Sequence, residues 1–168
     1  MQIMGRDVKL RNMTSVYLLR GNQILLLYRE GSKVANHQWV GSAGGHFEEC
    51  ELNDARACVL REIKEELSIT EECLVGLQLK YVTLRRTKGE IRQNYYFFAN
   101  LEREHENELV SNEGILRWFE LEELQALDMP FSAKYMIEHY MTIGRYDDML
   151  YVGVADGEQV IFTKLAEF

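Results

Sequence analysis

Glu62, Glu65 and Glu66 stand at i, i+3 and i+4 in the run Arg61-Glu62-Ile63-Lys64-Glu65-Glu66. On a helix turning about 100° per residue, these positions share one face. Like charges placed this way repel by about 0.2–0.5 kcal/mol per pair. A cation is expected to relieve that repulsion, so the spacing points first to a divalent metal site. Mg²⁺ takes oxygen ligands in near-octahedral geometry, commonly carboxylates with water and substrate phosphate, and Mn²⁺ is its expected substitute. The twin glycines Gly44 and Gly45 precede the helix. A backbone turn there would offer a carbonyl and let phosphates approach closely. Arg61, four residues before Glu65, is placed to orient that carboxylate as an ion pair. Seven acids face three bases between Glu48 and Glu66. A solvated charged helix would explain that surplus by itself, but not the ordered combination of glycines, Arg-Glu pair and triple carboxylate.

The elements that must carry these residues follow from pattern. Residues 15–19 and 23–28 are β-rich runs around Gly21-Asn22, a hairpin signal. The second run, ILLLY, reads as a strand covered on both faces. Residues 39–43 form a short extended segment entering the glycines. Asn53 is the expected N-cap, with Asp54 in the first turn, of a helix running to about Leu67. Leu60, Ile63 and Leu67 make its apolar stripe. Residues 74–86 and 91–100 suggest a long hairpin turning at Lys88-Gly89, 115–119 a strand, and 120–127 a short helix. A helix over 132–143 follows Pro130, the only proline. Residues 151–155 and 160–164 flank Asp156-Gly157, a second hairpin signal. Mixed elements without strict βαβ alternation favour an α+β or layered α/β/α domain.

Composition sets the bounds. At 168 residues the chain reads as one domain able to bury a core, with 131–168 as an extension that would cap the cleft or build a dimer interface. A formal charge of −8 argues against nucleic-acid polymers and anionic membranes as partners. It leaves small anionic substrates open, since a bound metal reverses the local field. Cys50, Cys58 and Cys73 form no C-x-x-C pair and suit reduced, buried thiols. No apolar run approaches the length of a membrane span, and the N-terminal residues lack a signal-peptide apolar region. A soluble, cytoplasmic protein is expected.

With these residues in hand, the chain resembles the Nudix hydrolases of the MutT type. Their box runs Gly, five residues, Glu, seven residues, then Arg-Glu-apolar-x-Glu-Glu-x-Gly-apolar. Gly45, Glu51, Arg61, Glu62, Ile63, Glu65, Glu66 and Ile69 match it. Nine residues separate Glu51 from Arg61 instead of seven, which implies a two-residue insertion. If the gap falls before Glu51, Asn53 takes its slot. Ser68 replaces the glycine that ends the family's helix in a left-handed turn, at a cost of about 1 kcal/mol. The 93–99 run QNYYFFA and Arg117-Trp118-Phe119 are similar to strands of the 8-oxo-dGTP diphosphatase-like members.

The resemblance implies an α/β/α sandwich with a mixed central sheet and a C-terminal helix plus hairpin. It also implies Mg²⁺-dependent cleavage of a pyrophosphate bond in a nucleoside diphosphate linked to another group. A nucleoside triphosphate, ordinary or oxidised as in 8-oxo-dGTP, is the leading substrate. Glu62, Glu65 and Glu66 would hold the metal with the Gly44 carbonyl. The general base is left between a helix glutamate and a downstream acid such as Glu113. Arg29 at a strand end, Gly45 and His46 are candidate phosphate contacts. A non-catalytic nucleotide-sensing or interaction module is the alternative, weakened because all three helix glutamates are kept. Arg85, Arg86, Lys88 and Arg92 surround the long hairpin; alternation lets only part of this group line one pocket. The aromatic run 95–98 reads mainly as core, and the charge run 102–108 as a solvated loop.

Overall fold

The structure, a computed structural model, describes residues 8–31, 36–105 and 109–168. Two strands open the chain, β1 (Lys9–Arg20) and β2 (Gln23–Arg29), joined through Gly21 at φ +58. They pair only from Leu18↔Leu25 to Arg20↔Gln23 and then part. Beyond the fork β4 (Ala43–His46) takes the vacated edge of β1, and β3 (Gln38–Val40) takes that of β2. Ser42 sits in the crotch, fully buried. Its hydroxyl donates to the Leu25 carbonyl at 2.6 Å and accepts the Leu18 N–H at 3.0 Å. Its own N–H reaches the Val16 carbonyl at 2.8 Å. One small side chain thus satisfies backbone groups that the splitting sheet would otherwise bury unpaired.

The fork also decides what the twin glycines are. They were expected as a turn, but they lie inside β4, paired with Ser15 and Thr14 of β1. A Cβ at Gly44 would come within 2.2 Å of the Thr14 carbonyl, so β4 can lie this close only with a glycine there.

The sheet continues through β5 (Leu74–Thr87), β6 (Glu90–Leu101), β7 (Gly114–Glu120), β8 (Tyr151–Ala155) and β9 (Val160–Lys164). The main order is β3-β2-β1-β6-β5-β8-β9, with β4 on β1 and β7 on β2. Pairs β1–β6 and β5–β8 are parallel and the rest antiparallel, so the sheet is mixed. Helix α1 (Ala55–Leu67) packs Val59, Ile63 and Leu67 on one face, against Val16, Leu18 and Phe97. Helix α2 (Phe131–Thr142) packs Met136, Ile137 and Tyr140 on the other, against Tyr17, Tyr96 and Phe98. The result is the expected α+β, helix-sheet-helix layering.

Local expectations need some correction. The N-cap of α1 is Asp54, whose carboxylate accepts the Ala57 N–H at 2.9 Å, not Asn53. The buried stripe runs through Val59 in place of Leu60, one position round the helix. Residues 121–126 form a 3-10 helix, its single turns stabilised by a capping box between Glu120 and Glu123. Ser68 does adopt the left-handed conformation, at φ +58. Cys58 and Cys73 are buried and Cys50 is exposed. The charge run of 102–108 extends beyond the described residues; within them it includes the 3-10 turn Arg103–His105. Among the described residues no helix is long and apolar enough to cross a membrane.

Candidate active site on helix α1

Arg61 organises the first turns of α1 and the loop before it. Its Nε donates to Glu51 Oε1 at 2.6 Å and one terminal nitrogen to Glu51 Oε2 at 3.0 Å. The other terminal nitrogen reaches Glu62 at 2.8 Å and Glu65 at 3.0 Å, and the His46 carbonyl accepts a further bond at 3.0 Å. The planar guanidinium with its fork of donors is the side chain that can bridge this many oxygens at once. Glu51 is 5% exposed and also accepts the Glu48 N–H at 3.0 Å. Glu51, and not Asn53, is thus the buried carboxylate that anchors Arg61.

The hydrogen bonds from Arg61 hold the Glu51 carboxyl down to a pKa of about 2, against 4.5 for a free glutamate. A depressed folded pKa contributes stability that is complete above pH of about 4.5 and is lost as pH falls towards 2. Unfolding free energy is accordingly expected to decline across that window in the wild type, and less steeply in Glu51→Gln. Denaturant titrations at pH 2.5, 3.5 and 5 measure it; identical slopes for both proteins would contradict the pairing.

The three helix carboxylates differ in environment. Glu62 and Glu66 are 9% and 8% exposed, whereas the Glu65 side chain is 56% exposed. Burial raises the pKa of Glu62, opposed by Arg61. Burial raises Glu66 to about 7, opposed by the Gly44 N–H at 3.1 Å and by Arg29 at 3.3 Å. Two desolvated carboxylates one turn apart, with Arg61 already shared by Glu51, Glu62 and Glu65, form a donor set that a divalent cation fits. Among the described residues no group of three or more acidic, histidine or cysteine side chains is arranged to hold a metal ion by itself.

Gly45 lies directly over Glu62, and a Cβ there would come within 2.4 Å of its Oε1. Gly45→Ala is expected to swing the Glu62 carboxylate aside, cutting turnover at least about tenfold while leaving most stability intact, since the group displaced is a side-chain end. Steady-state kinetics with thermal melting checks this; unchanged turnover would show that the position of Glu62 is unimportant.

The other sequence candidates fall around this core. Arg29, at the end of β2, pairs with Glu66. Glu113 is exposed just before β7, and its charge also raises the pKa of Glu66. His46 gives its carbonyl to Arg61, while its exposed ring is contacted by Arg11 at 3.1 Å. Partial desolvation and the guanidinium charges of Arg11, Arg92 and Arg29 lower the pKa of His46.

A cleft with a cavity of about 320 Å³ opens beside Gly44 and Arg29. Its floor is β1 and β6, with Ser15, Asn94 and Tyr96, and the start of α2 overhangs it at Phe131 and Ser132. Of the hairpin cations only Arg85 and Arg92 line it. They are register partners across β5 and β6 and so share a face. The sequence did hold this signal, because both are equidistant from the Lys88-Gly89 turn. Ser42 and Arg11 had no such local signature.

The NUDIX domain family model matches residues 9–140. No curated protein matches the chain. Among solved structures, the mutator MutT protein from Bacillus halodurans is 22% identical, with TM-score 0.64, covering 92% of this chain and 97% of its own. The E. coli ORF135 protein is 21% identical at TM-score 0.65, covering 81% and 91%. A C. elegans Ap4A hydrolase binary complex is 20% identical at 0.62, covering 83% and 100%. At these identities the likeness is one of fold.

Proposed function

The chain belongs to the NUDIX domain family, and from that premise we propose that it hydrolyses a pyrophosphate bond in a nucleoside diphosphate linked to a further group, with Mg²⁺ or, as a substitute, Mn²⁺. The observation that carries the reading is the pair of buried carboxylates Glu62 and Glu66, bonded to Arg61 and Gly44, beside a cleft that Gly44 and Arg29 line and whose lining, among the described residues, has three arginines and no acid.

Glu62, Glu65 and Glu66 would hold the ion, with the Gly44 carbonyl as a further donor. When bound, the ion supplies positive charge against the charge that develops on the phosphoryl oxygens. Arg61 fixes Glu62 and Glu65 in place, so no reorganisation is needed as the charge builds. Arg29 is placed to bind a phosphate once Glu66 turns to the cation. Glu65 and Glu113 are the two exposed carboxylates able to accept the proton of an attacking water. Glutamine variants separate them: Glu113→Gln loses kcat without losing metal affinity if Glu113 is the base, whereas Glu65→Gln is expected to weaken metal binding as well.

A panel of nucleotides tests the reading. It should hold ordinary triphosphates and 8-oxo-dGTP, as the MutT-named neighbours suggest. It should also hold dinucleoside polyphosphates, as the Ap4A hydrolases suggest, with nucleotide sugars and dinucleotides. Mg²⁺-dependent release of a nucleoside monophosphate from at least one class, lost in Glu65→Gln, is expected. An unchanged rate in Glu65→Gln would overturn the metal assignment, and no turnover of any class would favour a nucleotide-sensing module.

A further inference from the structure

A protein of net charge −8 keeps two guanidinium groups on the far wall of its cleft. Arg85 lines the cavity with its guanidinium over the Phe131 ring at 5.1 Å. No acidic partner holds it among the described residues. Arg92, its register partner, is 3.2 Å from Glu90, which at the same time is 3.5 Å from Arg11. One carboxylate therefore serves two cations, and the pair at the wall keeps a net positive charge. Two half-buried cations side by side repel unless an anion lies between them.

Their position relative to α1 gives the distance to that anion. The strands run β4, β1, β6, β5 across the floor. Three spacings of about 4.8 Å place β5 about 14 Å across the sheet from β4, where Gly44 meets Glu66. The two arginines lie four residues, about 13 Å, along the strands from the level of Gly44, Ser15 and Tyr96. Their backbones therefore stand roughly 16–19 Å from Gly44, a gap the long arginine side chains shorten. The span between the two ends suits a nucleoside or sugar carrying phosphate groups at both of its ends. The middle of the cleft offers Ser15, Asn94 and Tyr96, polar but uncharged at neutral pH.

We propose that Arg85 and Arg92 form a second phosphate site, so that the preferred substrate carries a phosphate monoester remote from the anhydride that is cut. The Phe131 ring positions Arg85 for a forked contact with phosphate oxygens, and Glu90 does the same for Arg92. This rests on the pyrophosphohydrolase reading and narrows the substrate beyond it, since an unmodified nucleoside triphosphate has no group for this wall.

Substrates that differ by one phosphate test it directly: coenzyme A against dephospho-coenzyme A, and the 2′-phosphate of ADP-ribose against ADP-ribose. The wild type should favour the phosphorylated member of at least one pair by about tenfold or more in kcat/KM, expressed in KM. In Arg85→Met with Arg92→Met the phosphorylated member should lose about tenfold more in kcat/KM than its unphosphorylated counterpart, so that the preference vanishes. Equal wild-type rates within both pairs would overturn the proposal, as would equal losses on both members in the variant. If neither pair is hydrolysed, calorimetry with adenosine 3′,5′-bisphosphate against AMP decides without turnover. Tighter binding of the bisphosphate, abolished by the double substitution, upholds the site, and equal affinity overturns it.

Discussion

Glu66→Gln is expected to lose roughly 10²–10³-fold in kcat/KM, the size of effect seen when one preorganised electrostatic group is removed, while making the metal-free protein more stable. Both effects have one cause. Glu66 is 8% exposed and its charged form is penalised by burial more than Gly44 and Arg29 repay. Glutamine keeps the acceptor for the Gly44 N–H and removes the charge. In EDTA the variant should melt higher by about 2–4 °C, equivalent to about 1 kcal/mol for a domain of this length. Mg²⁺ should then raise the midpoint of the wild type and leave the variant nearly unmoved, because only a ligand bound by the folded state stabilises it. Thermal melts with and without EDTA, beside initial rates, check both halves. A variant that is fully active, or less stable than wild type in EDTA, would show that Glu66 is a structural acid.

Arg61→Met should produce the largest loss of stability. It strands Glu51, a carboxylate 5% exposed whose tightest partner is Arg61 at 2.6 Å. Removing one partner of a buried pair costs about 3–5 kcal/mol. Arg61→Lys should recover only part of this, since one ammonium cannot reach Glu51, Glu62, Glu65 and the His46 carbonyl together. Adding Glu51→Gln to Arg61→Met should restore stability without activity, because the stranded charge is gone but Glu62 and Glu65 remain unoriented. Denaturant unfolding of the four proteins provides the measurement. A cost below about 1 kcal/mol for Arg61→Met would mean that the network is solvated and contributes little.

What the sequence made legible was local. The spacing of Glu62, Glu65 and Glu66, the Arg61–Glu65 pair and the Lys88-Gly89 hairpin follow from periodicity or turn chemistry within a few residues, while the left-handed Ser68 came from the resemblance to the family box. The N-cap slipped from Asn53 to Asp54 because adjacent residues with similar capping chemistry compete. Glu51 could not be placed from spacing, since an insertion before a helix leaves register open until tertiary contacts close it. The fork between β1 and β2 was hidden for another reason. It depends on Ser42 meeting Leu18 and Leu25, residues 24 and 17 positions away. The cleft drew on β1, β2, β5, β6 and α2 at once, so its positive lining emerged only from the assembled sheet.

The most direct test of the account is metal dependence read on product. Hydrolysis of the best substrate from the nucleotide panel, followed by ³¹P NMR in Mg²⁺, then excess EDTA, then restored Mg²⁺, compares wild type with Glu66→Gln. The account predicts that wild-type release of nucleoside monophosphate stops with EDTA and resumes with Mg²⁺, while Glu66→Gln stays near background throughout. Turnover that persists in EDTA, or that Glu66→Gln matches, would contradict it.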